Sequence, residues 1–248
     1  MKKILILALC LFTQFTYAQL PPNSYAEDFT LTDIYGNEFN LHSTLDEGKT
    51  VILDMFATWC GPCWTFAESG VLESLQEENP DQVVIISLES DPSTPESEIF
   101  EGSGFGDWTD VLGDIVIDDP SGSVAEAYAL TYYPTIYKIC PDRMVTELGQ
   151  LSSVSAFMGE INQCSSAQYD NDIRFLEYTG DSYYCDGELN ASVKIQNYGT
   201  NTFFPVVQGY QIASIQTLIN NSVVNETAID SSLILETYQV AEINLGII

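Results

Sequence analysis

Two cysteines stand three positions apart in the segment FATWCGPCWTF, at Cys60 and Cys63. Pro62 is tolerated in the first turn of a helix, and apolar residues recur at helical spacing after it, so the pair is predicted at a helix N-terminus. Unpaired N–H groups and the positive end of the helix dipole favour a thiolate on Cys60 there. Cys63, one turn later, is within reach of a mixed disulfide on Cys60. The spacing therefore predicts a redox-active dithiol with Cys60 as nucleophile and Cys63 as resolving thiol.

Two other interpretations of the pair are a metal site and a structural disulfide. A metal site needs two more ligands, yet His42 is the only histidine and the sequence has no second C-x-x-C motif. A structural disulfide across so short a loop contributes little stability, because the stabilisation grows with loop length. We therefore favour thiol–disulfide exchange, with the structural disulfide as the alternative that stays open. We expect no metal and no cofactor other than the Cys60–Cys63 disulfide itself.

The elements around the pair predict an α/β fold. Residues 25–166 alternate short apolar strands with helical stretches, a pattern typical of a sheet flanked by helices. EDFTLTDIYGNEFNL predicts a hairpin, and TVILDMFA predicts a buried strand directly before the cysteines. One helix is then expected from Cys60 to Asn79, followed by the buried strand VVIISL. The predicted order is β-β-β-α-β-α-β-β-α.

The sequence changes character after Ala167. Several segments there are strand-like, and Leu189, Ala191, Val193 and Ile195 alternate strictly with polar residues. We therefore predict an α/β domain over 19–166 and an all-β, sandwich-like module over 167–248. That module is expected to be incomplete, because its length falls short of the roughly 100 residues of a sandwich domain.

The N-terminus and the net charge limit the compartment and the partners. Lys2 and Lys3 precede the apolar run ILILALCLF and the small-residue site at Ala18, which predicts a signal peptide over 1–18. We expect an exported protein, in the periplasm, at the cell surface or secreted, with no membrane span after cleavage. Removing two lysines takes the net charge from −29 to −31, which leaves 5 basic against 36 acidic residues. Such a charge argues against nucleic-acid binding.

The segment VILDMFATWCGPCW resembles the active-site strand and helix of thioredoxin, and the wider layout is similar to the exported TlpA/ResA-like thiol-disulfide oxidoreductases. The resemblance implies a thioredoxin-like fold over residues 19–166, with a central mixed sheet flanked by helices. It also implies that Cys60 attacks and Cys63 resolves. Asp54, six residues before Cys60, occupies the position of the buried acid that accepts a proton from the resolving thiol. Burial raises the pKa of a carboxyl and suits it to this exchange near neutral pH. A purely structural, hydrogen-bonded Asp54 is the alternative.

The resemblance assigns further residues to the substrate groove. Pro134 in YYPT resembles the cis-proline that faces the dithiol, and Tyr133 is expected to line the groove; an ordinary trans turn proline is the alternative. Trp59 is expected to cover the dithiol on one side, and Glu89 resembles an acid near the active site of exported members. The segment between VVIISL and DIVIDD is longer than the fold requires and is favoured as a surface insertion. In this segment, Trp108 is the aromatic residue that we predict can anchor a partner.

The other cysteines are expected to play structural parts. Cys140 follows one strand and Cys164 ends the last helix, and these elements lie side by side in the fold that the sequence resembles. A structural disulfide between them is therefore predicted, which export permits. Cys185 is left over as the unpaired cysteine.

The Gly-Pro spacer contains no histidine and so resembles reductants more than strong oxidants. We expect a reductant of protein disulfides that receives electrons from a membrane or exported thiol partner that the sequence does not identify. One alternative is a peroxiredoxin-like peroxidase, although FATWCGPC lacks the upstream threonine and proline of that group. The other is an extracellular binding or adhesion protein with a vestigial thioredoxin-like scaffold, since VKIQNYGTN resembles adhesion-type sandwich modules.

Overall fold

The computed structural model describes residues 20–101, 104–181, 190–207, 209–211, 213–219 and 221–247. The predicted signal peptide and the predictions for Cys185 and Leu189 fall outside the described residues. In the described part, no helix has both the length and the apolar character needed to cross a bilayer.

Residues 24–161, here called the α/β part, form a six-stranded mixed sheet with helices on both faces. Its helices and strands follow one another in this order: β1 (Ser24–Tyr25), β2 (Thr30–Thr32), β3 (Glu38–Asn40), α1 (Leu41–Asp46), β4 (Thr50–Phe56), α2 (Gly61–Ala67), α3 (Val71–Glu78), β5 (Val83–Glu89), α4 (Ser97–Glu101), β6 (Val116–Asp118), α5 (Ser123–Ala127), β7 (Thr135–Ile139), β8 (Met144–Glu147) and α6 (Val154–Ile161). The strand order in the sheet is β1-β8-β7-β4-β5-β6. β4 and β5, and β5 and β6, run parallel, whereas β7 pairs antiparallel with both β4 and β8. The predicted thioredoxin-like α/β fold class is confirmed.

β4 lies at the centre of this sheet, and all seven of its residues are buried. Its alternate side chains point to opposite faces, as strand geometry requires. Val51, Leu53 and Met55 pack with α1 and α5 on one face, whereas Ile52 packs with α3 and α6 on the other. Asp54 is two positions after Ile52, so its side chain points to the same face of the sheet. The alternation therefore places an acidic side chain on the face that α2, α3 and α6 cover.

The prediction of one helix from Cys60 to Asn79 was wrong. α2 ends at Ala67 and α3 begins at Val71, because Gly70 between them adopts a left-handed conformation with φ of +65°. A residue with a Cβ rarely adopts this conformation, so glycine permits the break. α1 was not predicted either. It begins after Asn40, whose side chain accepts a hydrogen bond from the Ser43 N–H and caps the helix.

Residues 173–247, here called the β part, contain strands in three small antiparallel sheets. The strands are β9 (Ile173–Tyr178), β10 (Asn190–Asn197), β11 (Val206–Val207), β12 (Tyr210–Gln211), β13 (Ser214–Ile219), β14 (Ser222–Ala228) and β15 (Val240–Ile247). β10 pairs with β9 and β15, while β11–β12 and β13–β14 form hairpins. Ala191, Val193 and Ile195 are buried on one face of β10, in agreement with their alternation in the sequence. The predicted all-β character of this region is confirmed.

Candidate active site

The Cys60 and Cys63 side chains form a disulfide at the N-terminus of α2, with an S–S distance of 2.00 Å. Cys60 is the N-cap residue in extended conformation, and its Sγ accepts a hydrogen bond of 3.2 Å from the Cys63 N–H. Pro62 occupies the first turn, where its missing N–H leaves no helical bond unmade. The two cysteines retain 4% and 3% of their surface exposed. A backbone donor therefore points at the sulfur that would carry negative charge after reduction.

Asp54 is buried on the face of β4 that α2 covers. Its Oδ1 has no hydrogen-bond partner within the part of the chain that the structure describes. Burial raises the pKa of Asp54 from 3.8 to about 7, because a carboxylate in an apolar environment loses its hydration. The carboxyl can therefore gain or lose a proton near neutral pH.

A narrow cavity lies beside Asp54 and the C-terminal half of α2. Its volume is about 10 Å³, and it is lined by Asp54, Ser87 and the α2 residues Phe66 and Ala67, among others. Such a cavity has room for about one water molecule. A water there would give the buried carboxyl a short route for proton exchange.

Glu89 is a second buried acid on the same face of the sheet. It ends β5 and pairs in register with Phe56, two residues beyond Asp54 on β4. Burial and the neighbouring Asp118 carboxyl raise the pKa of Glu89 to about 8, and the Thr58 backbone amide offsets part of this shift. Phe56 packs in one apolar cluster with both cysteines, so this ionisable group lies at the edge of the dithiol site.

The loop before β7 forms the opposite wall of the site. The Tyr133–Pro134 peptide bond is cis, and the Tyr133 ring packs against the cluster that contains Cys60 and Cys63. Tyr133 also meets Trp59 edge-on, with ring centroids 5.7 Å apart and planes at 90°. Burial, followed by the Asp91 and Glu89 carboxyls, raises the pKa of Tyr133 to about 12, so it is a neutral hydroxyl near pH 7.

Trp59 is half exposed, at 54% of its surface. Its Nε1–H donates a hydrogen bond of 2.8 Å to Asp91 Oδ2, which fixes the ring beside Cys60. The tertiary structure thus brings together Trp59, Tyr133 and the two cysteines, which are up to 74 positions apart in the chain.

The prediction that Trp108 could anchor a partner was wrong. Trp108 has no exposed surface and packs against Phe56 and Trp64, at centroid distances of 4.8 and 5.0 Å. The aromatic residue of this segment that is exposed beside the dithiol is Phe105, which stacks on Trp64 at 5.9 Å. Its ring lies 3.5 Å from the position that a Cβ on Gly61 would occupy. The sequence analysis missed Phe105, although a phenylalanine between Gly104 and Gly106 in a polar segment was an available signal.

Cys140 and Cys164 form a second disulfide, with Cα atoms 5.5 Å apart. It joins the residue after β7 to the turn after α6. Pro134 precedes β7 and Cys140 follows it, so the strand separates the two disulfide regions by about 20 Å at roughly 3.3 Å per residue. The second disulfide therefore does not belong to the dithiol site. Among the described residues no group of three or more His, Cys, Asp or Glu side chains is placed to bind a metal ion.

Comparison with known proteins gives several relatives of the α/β part. The chain is 30% identical over 112 residues to the thioredoxin-like protein YneN of Bacillus subtilis, covering 45% of this chain and 61% of that protein. A thioredoxin-like protein of Haemophilus influenzae is 32% identical over 116 residues, with 46% and 62% covered. The thiol:disulfide interchange protein DsbE of the same organism is 29% identical over 144 residues, with 50% and 72% covered. The chain thus spans about three fifths of the length of the first two relatives.

Solved structures that resemble the chain include two thioredoxin-related proteins. The exposed lipoprotein thioredoxin Etrx1 of Streptococcus pneumoniae is 23% identical, with a TM-score of 0.45 over 55% of this chain and 99% of that one. A protein described as a putative thiol:disulfide interchange protein DsbE from Chlorobium tepidum is 22% identical, with a TM-score of 0.45 over 57% and 94%. The family model for Redoxin matches residues 21–155. This match covers more than half of the chain and confirms the predicted membership of the thioredoxin-like superfamily: the chain belongs to the Redoxin family.

Proposed function

We propose that this protein is an exported thiol-disulfide oxidoreductase that reduces disulfides in other proteins through Cys60 and Cys63. The observation that carries the proposal is the disulfide at the N-terminus of α2, with the buried Asp54 behind it and the cis-Pro134 loop beside it. The thiol:disulfide interchange activity in the name of one relative supports the same chemistry.

In the reduced protein, the Cys60 thiolate attacks one sulfur of the substrate disulfide. A mixed disulfide forms, and the first substrate sulfur leaves as a thiolate. Cys63 is one helical turn away and is placed to attack the Cys60 Sγ, which releases the second substrate thiolate. Two electrons pass from the dithiol to the substrate, and the Cys60–Cys63 disulfide is the product on this chain.

Asp54 is assigned the proton transfer in the second half of this reaction. Cys63 must lose its proton before it attacks, and a carboxylate with a pKa near 7 is a suitable acceptor at neutral pH. The cavity beside Phe66 and Ala67 has room for about one water molecule next to this carboxyl. We infer that such a water exchanges the proton with Asp54, while the departing substrate thiolate takes a proton from solvent.

The sequence supports the proposed direction of transfer and the proposed compartment. The Gly61-Pro62 spacer supports a reductant, because it contains no histidine to stabilise the thiolate further. Residues 1–18 support export. In an oxidising compartment the dithiol must be restored by a second thiol protein, which we infer to be exported or membrane-bound.

Reduction of insulin disulfides, with dithiothreitol as the donor, tests this function. The wild-type protein should accelerate precipitation of the insulin B chain. Cys60→Ser should lower the catalysed rate of reduction at least about 100-fold, since it removes the nucleophile. Cys63→Ser should trap a mixed disulfide on Cys60. The double variant Cys140→Ser/Cys164→Ser is the matched control, because it makes the same chemical change away from the site and should retain the activity.

Two outcomes would count against the proposal. Equal and negligible rates for wild type and Cys60→Ser would favour the alternative of a binding protein with a vestigial scaffold. Activity with hydrogen peroxide but none with insulin would favour a peroxidase.

A further inference from the structure

We propose that Phe105 determines substrate specificity by seating an apolar side chain that lies next to the reacting cysteine of a cationic polypeptide disulfide. This inference rests on the proposed function and adds the class of substrate. Phe105 and Phe100 both belong to the segment between β5 and β6 and are each 43% exposed, yet only Phe105 lies against the dithiol motif, where its ring is 3.5 Å from the Cβ position of Gly61.

The packing of Trp64 fixes Phe105 in this place. The two rings stack with an interplanar angle of 18°, and Trp108 meets Trp64 edge-on at 88° from the interior. A Cβ on Gly106 would lie 2.9 Å from Trp64 Cη2, which is closer than two non-bonded carbon atoms approach. The chain can therefore pass this closely over Trp64 only with glycine at position 106, and that approach sets the position of the neighbouring Phe105.

Aromatic side chains therefore border the dithiol motif at two places. The Trp59–Tyr133 pair lies at the residue before Cys60, and Phe105 lies over Gly61, the residue after Cys60. A polypeptide whose cysteine reacts with Cys60 reaches it past these rings. The side chain adjacent to its cysteine then meets the face of Phe105, and an apolar side chain gains free energy from this contact because both surfaces leave water.

Charge defines the rest of the substrate. Between Lys49 and Lys138 the sequence contains no lysine, arginine or histidine, while aspartate and glutamate recur throughout. This stretch includes α2, β5 and the segment that carries Phe105. Asp91 accepts a hydrogen bond from Trp59, and Asp107 follows Gly106 directly, so carboxylates border both aromatic sides. Basic residues near the substrate cysteine are attracted to this surface and acidic ones are repelled.

Three disulfide-linked peptides test the inference with the reduced full-length protein. The first has leucine beside the cysteine and lysines further out, the second has asparagine in place of leucine, and the third has glutamates in place of the lysines. For the wild type we expect kcat/KM about 10-fold higher for the leucine peptide than for the asparagine peptide, within the range of 10–200-fold known for small apolar groups in a pocket. The glutamate peptide should react about 10-fold more slowly than the first, and added salt should narrow that gap.

Phe105→Ala should reduce the leucine preference to less than about 3-fold. Its rate with bis(2-hydroxyethyl) disulfide, which is small, neutral and lacks an adjacent side chain, measures any effect of the variant on the dithiol itself, and the leucine preference is read as the ratio of two peptide rates, in which such an effect cancels. Phe100→Ala is the matched control, because it removes the same side chain at the same exposure, and it should keep the full preference. Phe105→Tyr retains the ring and should keep the preference as well.

An unchanged leucine preference in Phe105→Ala would overturn the inference, and so would its loss in Phe105→Tyr. If Phe105→Ala also slows the small disulfide, Phe105→Tyr decides, because it must restore both the rate and the preference if the ring acts as proposed. Failure of the wild type with all three peptides and with insulin is a different result, since it rejects the proposed function itself.

Discussion

Replacing Asp54 by asparagine should stabilise the α/β part at alkaline pH and leave its stability near pH 4 almost unchanged. The pKa of Asp54 is 3.8 without the protein environment and about 7 in the folded protein. Between these values the folded state binds more protons than the unfolded state. The free energy of unfolding of the wild type therefore falls as the pH rises from about 4 to 7 through this group.

The size of the effect follows from the shift. A pKa difference of about 3 units corresponds to about 4 kcal/mol at 1.36 kcal/mol per unit. Asparagine has no charge to desolvate, so Asp54→Asn avoids this loss. The difference between variant and wild type should be close to zero below pH 4 and should grow to about 4 kcal/mol above pH 7.

Guanidinium unfolding followed by tryptophan fluorescence measures this difference at pH values from 4 to 9. All three tryptophans, at positions 59, 64 and 108, lie in the α/β part, so the signal reports on that part alone. The proteins should be kept oxidised, because Cys60 and Cys63 then do not titrate. Contributions from other ionisable groups, including Glu89, are common to both proteins and cancel in the difference.

Asp81→Asn is the matched control. Asp81 is exposed before β5, so the same chemical change there should alter the stability by less than about 0.5 kcal/mol at every pH. A difference for Asp54→Asn that does not vary between pH 5 and 8, or that grows toward acid, would refute the burial argument. The assignment of Asp54 as proton acceptor would then lose its support.

Two further predictions concern the second disulfide and Glu89. Cys140→Ser/Cys164→Ser should lower the free energy of unfolding by about 3 kcal/mol, because the disulfide closes a loop with a sequence separation of 24; guanidinium unfolding measures it, and a loss below about 1 kcal/mol would contradict the entropic argument. Glu89→Gln should simplify the pH dependence of Cys60 alkylation in the reduced protein. Glu89 has a pKa of about 8, and its negative charge at the edge of the dithiol site should oppose ionisation of the Cys60 thiol, so the wild type should show two steps and the variant one; two steps in both would exclude this interaction.

The dithiol and the strand before it could be predicted from the sequence because both depend on local spacing. The positions of Cys60 and Cys63 relative to Pro62 define a helix start wherever the helix later packs. The alternation of side chains along β4 is equally local, since Asp54 must point to the same face of the strand as Ile52, two positions earlier. The near-neutral pKa of Asp54 is not local, because it requires Phe66, Leu112 and their neighbours to cover that face.

The break at Gly70 could not be predicted from the apolar pattern. Phe66, Val71 and Leu75 fit one continuous helix as well as they fit two, and both helices bury these residues in the same cluster. Glycine permits either the helical or the left-handed conformation. The packing of α2 and α3 against the sheet decides between them.

Which of Trp108 and Phe105 is exposed beside the dithiol could not be predicted from the sequence either. Both side chains are apolar, and neither lies in a periodic pattern of apolar and polar residues that would indicate whether it is exposed. Trp108 is buried because Phe56, more than fifty residues earlier, and Trp64 enclose it. Phe105 remains at the surface because Trp64 already occupies the space beneath it. The sequence by itself determined where the Cys60–Cys63 pair, its helix start and the strand with Asp54 lie. Contacts between distant segments decided the ionisation of these groups and the surface around them, because burial depends on what the whole chain packs against each side chain.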